Sequence, residues 1–254
     1  MGIFRKISAY LIAPVVALGI AVAAPAANAG VIQLGFILDR SGSIGSGNWT
    51  TIVNGLSSAI NTIVPTDSSY EVSVVSFGST ASIDVNHILI DSVASRTAVA
   101  NAISSIGFTG GGTNMTDAIN TMATALTGSA LMIDNTYVNL ATDGVPNNQT
   151  TAVAARNALI SGANVDNLSI EAIGGGVNAS FLQNSICYPG PCTIAPTFSF
   201  PGNGFYIPVA NAEEYATAIA NKVAIVTNQV PEPGMMIILG LGIAGIAMRR
   251  RMAA

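Results

Sequence analysis

Val31-Ile32-Gln33-Leu34-Gly35-Phe36-Ile37-Leu38 runs straight into Asp39-Arg40-Ser41-Gly42-Ser43. A near-continuous apolar run of this length reads as a β-strand buried on both faces, as in a parallel sheet covered by helices. The polar pentapeptide after it is a turn at the strand's carboxyl end. Outward from this stretch, strands and helices alternate. Trp49–Val64 is helical, because Ile52, Leu56, Ile60 and Ile63 recur at steps of three and four. Further strands are expected at Tyr70–Phe77, Ser82–Ile90, Thr136–Ala141, Asn167–Ile173 and Gly204–Val209. Further helices are expected at Ala94–Ile106, Thr116–Leu126, Asn148–Ser161, Ala179–Ser185 and Ala212–Val226. The expected fold class is α/β, Rossmann-like and doubly wound: a mainly parallel six-stranded sheet flanked by helices. In such sheets ligands bind beyond the carboxyl ends of the strands.

Three loops at those ends carry oxygen-bearing side chains. The first holds Asp39, Ser41 and Ser43, an acid followed by hydroxyls at alternate positions. The second is Gly110-Gly111-Gly112-Thr113-Asn114, and the third Thr142-Asp143-Gly144. Two carboxylates and three hydroxyls suit a hard divalent cation, Mg²⁺ first, with Mn²⁺ or Ca²⁺ as alternatives. If the carboxylates act through water, the direct protein ligands are all neutral. The ion then keeps an open position for an outside carboxylate, an arrangement for recognition rather than hydrolysis.

These loops resemble the metal-ion-dependent adhesion site (MIDAS) of von Willebrand factor type A (vWA) domains, whose pattern is Asp-x-Ser-x-Ser, a distant Thr and a distant Asp. The resemblance covers roughly 31–228. It implies that Ser41, Ser43 and Thr113 touch the metal while Asp39 and Asp143 act through water.

The two ends of the chain read as addresses. Residues 1–29 form a signal peptide: Arg5 and Lys6, an apolar stretch from Ile7 to Ala24, and a small-residue site at Ala27-Asn28-Ala29. Residues 30–230 are the expected vWA domain. Residues 231–254 hold Pro231-Glu232-Pro233, the charge-free apolar run Met235–Met248, and Arg249-Arg250-Arg251. That run is short for a transmembrane helix, and the triple Arg argues for a cytoplasmic end. The tail resembles the PEP-CTERM sorting signal of Gram-negative bacteria. By that likeness an exosortase handles it at the inner membrane, and the product goes to the cell surface or extracellular matrix.

Charge and motifs exclude other classes. The 254-residue chain is 50% hydrophobic and 9% charged. Its middle, 30–230, carries twelve acids against four bases (Arg40, Arg96, Arg156, Lys222), so no basic patch exists to bind nucleic acid. Gly42, Gly45 and Gly47 do not form Gly-x-Gly-x-x-Gly after the first strand, and no Gly-x-x-x-x-Gly-Lys-Ser/Thr motif is present. His87, the single His, lies in a strand without a nucleophile elbow and reads as solvent-facing. Trp49 reads as packing at the start of its helix. Asp117, Asp134, Asp166, Glu213 and Glu214 read as solvated surface charges. Cys187 and Cys192 flank Tyr-Pro-Gly-Pro, and in an oxidising compartment they should form a local disulfide. The Cys187–Phe200 stretch reads as a local insertion that does not touch the metal motif but is able to shape partner choice.

The function expected from the sequence is a secreted, surface-sorted, non-enzymatic adhesion module. It would use its metal to grip an acidic group of a protein or matrix partner. The alternative is a structural extracellular-matrix or biofilm protein whose metal site plays no part in partner capture.

Overall fold

The computed structural model describes residues 30–194 and 200–228. The expected signal peptide (1–29) and sorting tail (231–254) lie outside the described residues. Seven strands form one sheet: β1 Val31–Asp39, β2 Tyr70–Phe77, β3 Ala81–Leu89, β4 Ile133–Thr142, β5 Asn167–Ile173, β6 Thr193–Ile194 and β7 Phe205–Val209, in the order β3-β2-β1-β4-β5-β7-β6. All neighbours are parallel except the β2–β3 hairpin. The expected count of six is corrected to seven. The extra strand, β6, is two residues long, too short to leave a periodicity in the sequence, and it forms because the cysteine loop lays Thr193 against Phe205.

The helices are α1 Gly45–Ile63, α2 Val93–Ser104, α3 Met115–Thr127, α4 Gln149–Gly162, α5 Ala179–Phe181 and α6 Ala212–Asn228; α5 continues as a π-helical turn, Leu182–Ile186. The π-helical turn departs from the single short helix expected there. Two apolar clusters cover the two faces of the sheet. One joins α1, α2 and α6 through Trp49, Ile52, Leu56, Ile103, Tyr215 and Ile219. The other joins α3 and α4 through Met115, Ile119, Met122, Ala152 and Leu159.

β1 is buried from Ile32 to Asp39, which accounts for its unbroken apolar run. It passes so near α3 that a Cβ on Gly35 would lie 2.9 Å from Met122 Sδ. Its one long polar side chain, Gln33, is buried and satisfied: Nε2 donates to Leu126 O (3.0 Å), and Oε1 accepts from Thr136 Oγ1 (3.2 Å). β3 is the antiparallel edge strand, with alternating exposure along its length. His87 is half-buried rather than solvent-facing. It sits at φ +36 beside a register shift in the hairpin, and its N–H donates to Ser73 Oγ at 3.0 Å. A bulge re-aims a side chain in this way.

The acids read as surface charges do more than meet water. Asp117 Oδ2 accepts from Ala81 N (2.7 Å) and Asp134 Oδ2 from Gly30 N (2.8 Å). Asp166 Oδ2 accepts from Thr136 N (2.8 Å) and Glu214 Oε2 from Ala210 N (2.8 Å). Each satisfies a backbone donor that the ladders leave free.

Candidate metal centre

The strand order reverses between β1 and β4, since β2 continues one way from β1 and β5 the other way from β4. A crevice opens at such a switch point beyond the carboxyl ends of the strands. Asp39 ends β1, and Thr142 ends β4. Asp39 is buried; its Oδ1 accepts from Ser41 N (2.9 Å) and its Oδ2 from Thr142 Oγ1 (2.6 Å). The first bond makes an Asx-type turn, which folds the Ser41-Gly42-Ser43 loop back over the strand end. Thr142 Oγ1 also accepts from Gly144 N (3.2 Å), making the matching turn after β4. Asp39 therefore has both carboxylate oxygens committed, and it braces two strand ends.

Ser41 and Ser43 extend this network outward. Their hydroxyls lie 3.1 Å apart, and Ser43 Oγ donates to Asp143 Oδ1 at 2.8 Å. Ser41 is buried, Ser43 is exposed and Asp143 is half-buried, so the row runs from the core to solvent. The glycine loop is fastened to the first loop by backbone alone: Gly42 N donates to Gly111 O (2.9 Å), and Gly110 N to Arg40 O (3.1 Å). Gly110 (φ +67) and Gly111 (φ +92) occupy the left-handed region, which only glycine enters without strain. Asn147 joins the second and third loops. Its Oδ1 accepts from Thr113 N (3.1 Å), and its N–H donates to Thr113 O (3.0 Å). Thr113 Oγ1 would lie 3.1 Å from a Cβ on Gly144, which sets this hydroxyl against the Asp143-Gly144 turn. All five side chains picked from the sequence therefore belong to one cluster of three loops.

Two contributors were not foreseen. Asn147 carries no metal-ligand signature, and only its place after Thr-Asp-Gly could have drawn attention to it. A fourth loop, Gly174-Gly175-Gly176 after β5, packs so closely that a Cβ on Gly176 would stand 2.9 Å from Asp143 O. In the sequence this glycine run marks only the stop of the strand before it. The Cys187–Cys192 disulfide forms, with a Cα–Cα distance of 6.2 Å. Tyr188 bridges to Leu168 at the start of β5, the opposite end of the sheet from Asp39 and Asp143. The stretch therefore does not border the candidate metal centre.

Burial pushes the Asp39 carboxyl up to about 6, against the hydrogen bonds from Ser41 and Thr142, and the nearby Asp143 charge adds to the rise. Burial also raises Asp143, opposed by the bond from Ser43. Arg40 offers no relief: its guanidinium turns away to Gly107 O (3.2 Å) and Ser82 Oγ (3.0 Å). Among the described residues, neither carboxylate is paired with a Lys or Arg. Two acids and three hydroxyls with no positive partner fit a divalent cation. All five donors are carboxylate or hydroxyl oxygens, which suit a hard oxygen-seeking ion rather than one that wants nitrogen or sulfur.

Fold and cluster define a class: a doubly wound α/β domain with oxygen donors at the switch point of its sheet. The chain belongs to the von Willebrand factor type A domain family, whose model matches residues 33–197. Residues 229–251 match the PEP-CTERM protein-sorting motif, which implies export, exosortase processing and a surface or extracellular location. No relative is found among the curated proteins. Among solved structures, the chain resembles proximal thread matrix protein 1 of the mussel byssus with a zinc-occupied MIDAS motif: 18% identity, TM-score 0.59, covering 78% of this chain and 46% of that one. It also resembles manganese-loaded TRAP protein of Plasmodium vivax, at 24% identity and TM-score 0.55, covering 77% and 74%. A third is the pilus adhesin SpaC of Lactobacillus rhamnosus GG, at 13% identity and TM-score 0.59, covering 79% and 31%. The chain thus spans less than half of the mussel and pilus proteins.

Proposed function

We propose that residues 30–230 form a secreted, surface-sorted vWA domain that acts without catalysis. Asp39, Ser41, Ser43, Thr113 and Asp143 would hold a divalent cation, Mg²⁺ before Mn²⁺ or Ca²⁺, and grip a carboxylate of a protein or matrix partner. The observation that carries this reading is the row of oxygens linking Ser41, Ser43 and Asp143 across two strand ends, its carboxylates unpaired with any Lys or Arg among the described residues. A bound ion supplies the positive charge the cluster lacks and an attraction for an outside anion. The chain's own residues do the positioning. Asp39, fixed by Ser41 N and Thr142 Oγ1, sets the height of the first loop. Asn147 fixes Thr113, and Gly110 and Gly111 let the second loop approach the first.

Calorimetric titration of Mg²⁺ into the wild-type protein and Asp39→Ala tests the site. Binding to the wild type and none to the variant is expected; equal affinity overturns the assignment. Partner capture from the native surface, repeated with EDTA, tests the use of the site. Capture indifferent to chelation would favour the second reading, a matrix protein in which the site plays no part. The mussel thread protein's likeness in fold, and its description as a matrix protein, support keeping that reading.

A further inference from the structure

Beneath α6, a second polar cluster lies on the face of the sheet that α1 and α6 cover. Asn139 of β4, Glu171 of β5 and Lys222 of α6 are 2%, 0% and 5% exposed. β4 and β5 are neighbouring parallel strands, with Asn139 opposite Ser169 and Ala141 opposite Glu171. Asn139 and Glu171 thus lie diagonally on one face. Lys222 occupies the inward stripe of α6 with Tyr215, Ile219, Val223 and Val226, all buried. Its Nζ is in contact with the Asn139 side-chain carbonyl oxygen. The same Nζ lies 3.3 Å from Glu171 Oε1 and 4.8 Å from the centroid of the Phe205 ring.

Nothing about this cluster suits it to a ligand. The cavity beside it measures about 20 Å³, room for little more than one water. Nor is it a well-satisfied polar network. Neither Glu171 oxygen, nor Asn139 Nδ2, nor the Tyr215 hydroxyl has a hydrogen bond of proper geometry. A buried ion pair is stabilising only when its remaining valences are met, and here they are not. The three groups are, however, a nucleophile, an acyl donor and a proton carrier in mutual contact and shielded from water. Burial pulls the Lys222 amine down to about 8, and burial raises the Glu171 carboxyl, with each charge opposing the other's shift. Both directions favour the neutral amine and the neutral acid, the forms that amide exchange requires.

We propose that Lys222 and Asn139 join in an intramolecular isopeptide bond, formed with Glu171 as the proton carrier. The Lys222 Nζ lone pair attacks Asn139 Cγ, while the Glu171 acid donates a proton to the carbonyl oxygen. The Cγ–Nδ2 bond then breaks. Nδ2 leaves as ammonia with a proton relayed from Nζ through Glu171, and as the C=O re-forms its oxygen returns the first proton to Glu171, which is left as it began. One primary amine and one primary amide become one secondary amide and one ammonia, with no change of oxidation state. The new bond ties α6 to the middle of β4. The sorting motif begins at 229, a few residues beyond Lys222, so tension on a tethered tail would pass into a central strand rather than peel α6 from the sheet. This inference is independent of the metal site.

Intact-mass measurement of the full chain under denaturing, reducing conditions tests the bond. The expected mass is short of the sequence mass by one ammonia. Trypsin should leave Lys222 uncut and yield a branched peptide joining 97–156 to the segment that starts at 157. An unshortened mass with cleavage at Lys222 overturns the proposal, as does an ammonia deficit confined to an unbranched peptide, the mark of a succinimide at an Asn-Gly pair. This arm needs no variant and decides the bond by itself. Glu171→Gln with native circular dichroism and full mass supports the role of Glu171; the same variant still short by one ammonia overturns that role.

Discussion

Asn139 and Asp143 leave the same strand-and-turn segment four residues apart, yet their side chains serve opposite ends. Asp143 stands at the rim of the sheet, half in water, among hydroxyls that share bonds in a row. Asn139 lies under α6 with a carboxyl and an amine, sealed by aromatic rings. Among the described residues no Lys or Arg pairs with the rim carboxylates, whereas the interior brings a carboxyl, an amide and an amine together. Water access makes the difference. At the rim, solvent and an incoming ion can meet the unsatisfied charge. In the interior, the groups can only answer one another.

The strongest way to break this contrast is at the interior. Lys222→Met removes the bond between α6 and β4 and leaves the Asn139 and Glu171 side chains buried without their partner, each buried group left unsatisfied typically costing about 1–3 kcal/mol. Denaturant midpoints should fall accordingly, while Mg²⁺ affinity, set at the rim, should stay at its wild-type value. A large loss of metal affinity in this variant would mean the two regions are coupled.

The next effect belongs to the rim. Mg²⁺ at a hundred times its Kd should stabilise the wild type by about 2.7 kcal/mol, and EDTA or Asp39→Ala should abolish that gain. The pH dependence sharpens the test. Asp39 titrates near 6 in the folded, metal-free protein, above its ordinary 3.8. The folded state therefore binds the proton more tightly. The associated stability is full below about 4 and is lost as pH rises through about 6. Melting curves in EDTA should fall across that window. Added Mg²⁺ should offset the fall at the upper end, because the ion favours the carboxylate that the proton no longer holds.

A smaller effect is expected at the opposite end of the sheet. Reducing Cys187–Cys192 releases a very short loop, worth roughly 2 kcal/mol by the chain-entropy relation. Metal affinity should not change, since the loop pairs with the start of β5. The smallest effect concerns Trp49, whose Nε1 donates to Ile106 O at 2.7 Å. Trp49→Phe loses that bond, for about 1 kcal/mol, visible as a small drop in midpoint with an unchanged Mg²⁺ response.

Most of the rim was legible beforehand because its residues are local to strand ends. Asp39, Ser41 and Ser43 sit within five residues, and Gly110 to Thr113 and Thr142 to Gly144 are equally compact. The loops after β1 and β4 follow neighbouring parallel strands and so converge on one edge, while the glycine loop, between α2 and α3, is held there by its backbone bonds to the first loop. Asn147 and Gly176 escaped notice because they act through backbone and packing, which leave no chemical signature. β6 escaped for another reason: strand pairing over two residues depends on where a loop folds back.

By itself, the sequence determined the alternation of strands and helices, the oxygen-rich loops and the terminal addresses, because periodicity, turn residues and short motifs act over a few neighbouring positions. Only the tertiary structure decided that Lys222 faces Asn139 and Glu171, residues separated by 83 and 51 positions. One lysine on a helix reads as a solvated charge until the packing of that helix against the sheet shows its amine enclosed. Burial, not residue type, turns those three side chains into reactants for one another.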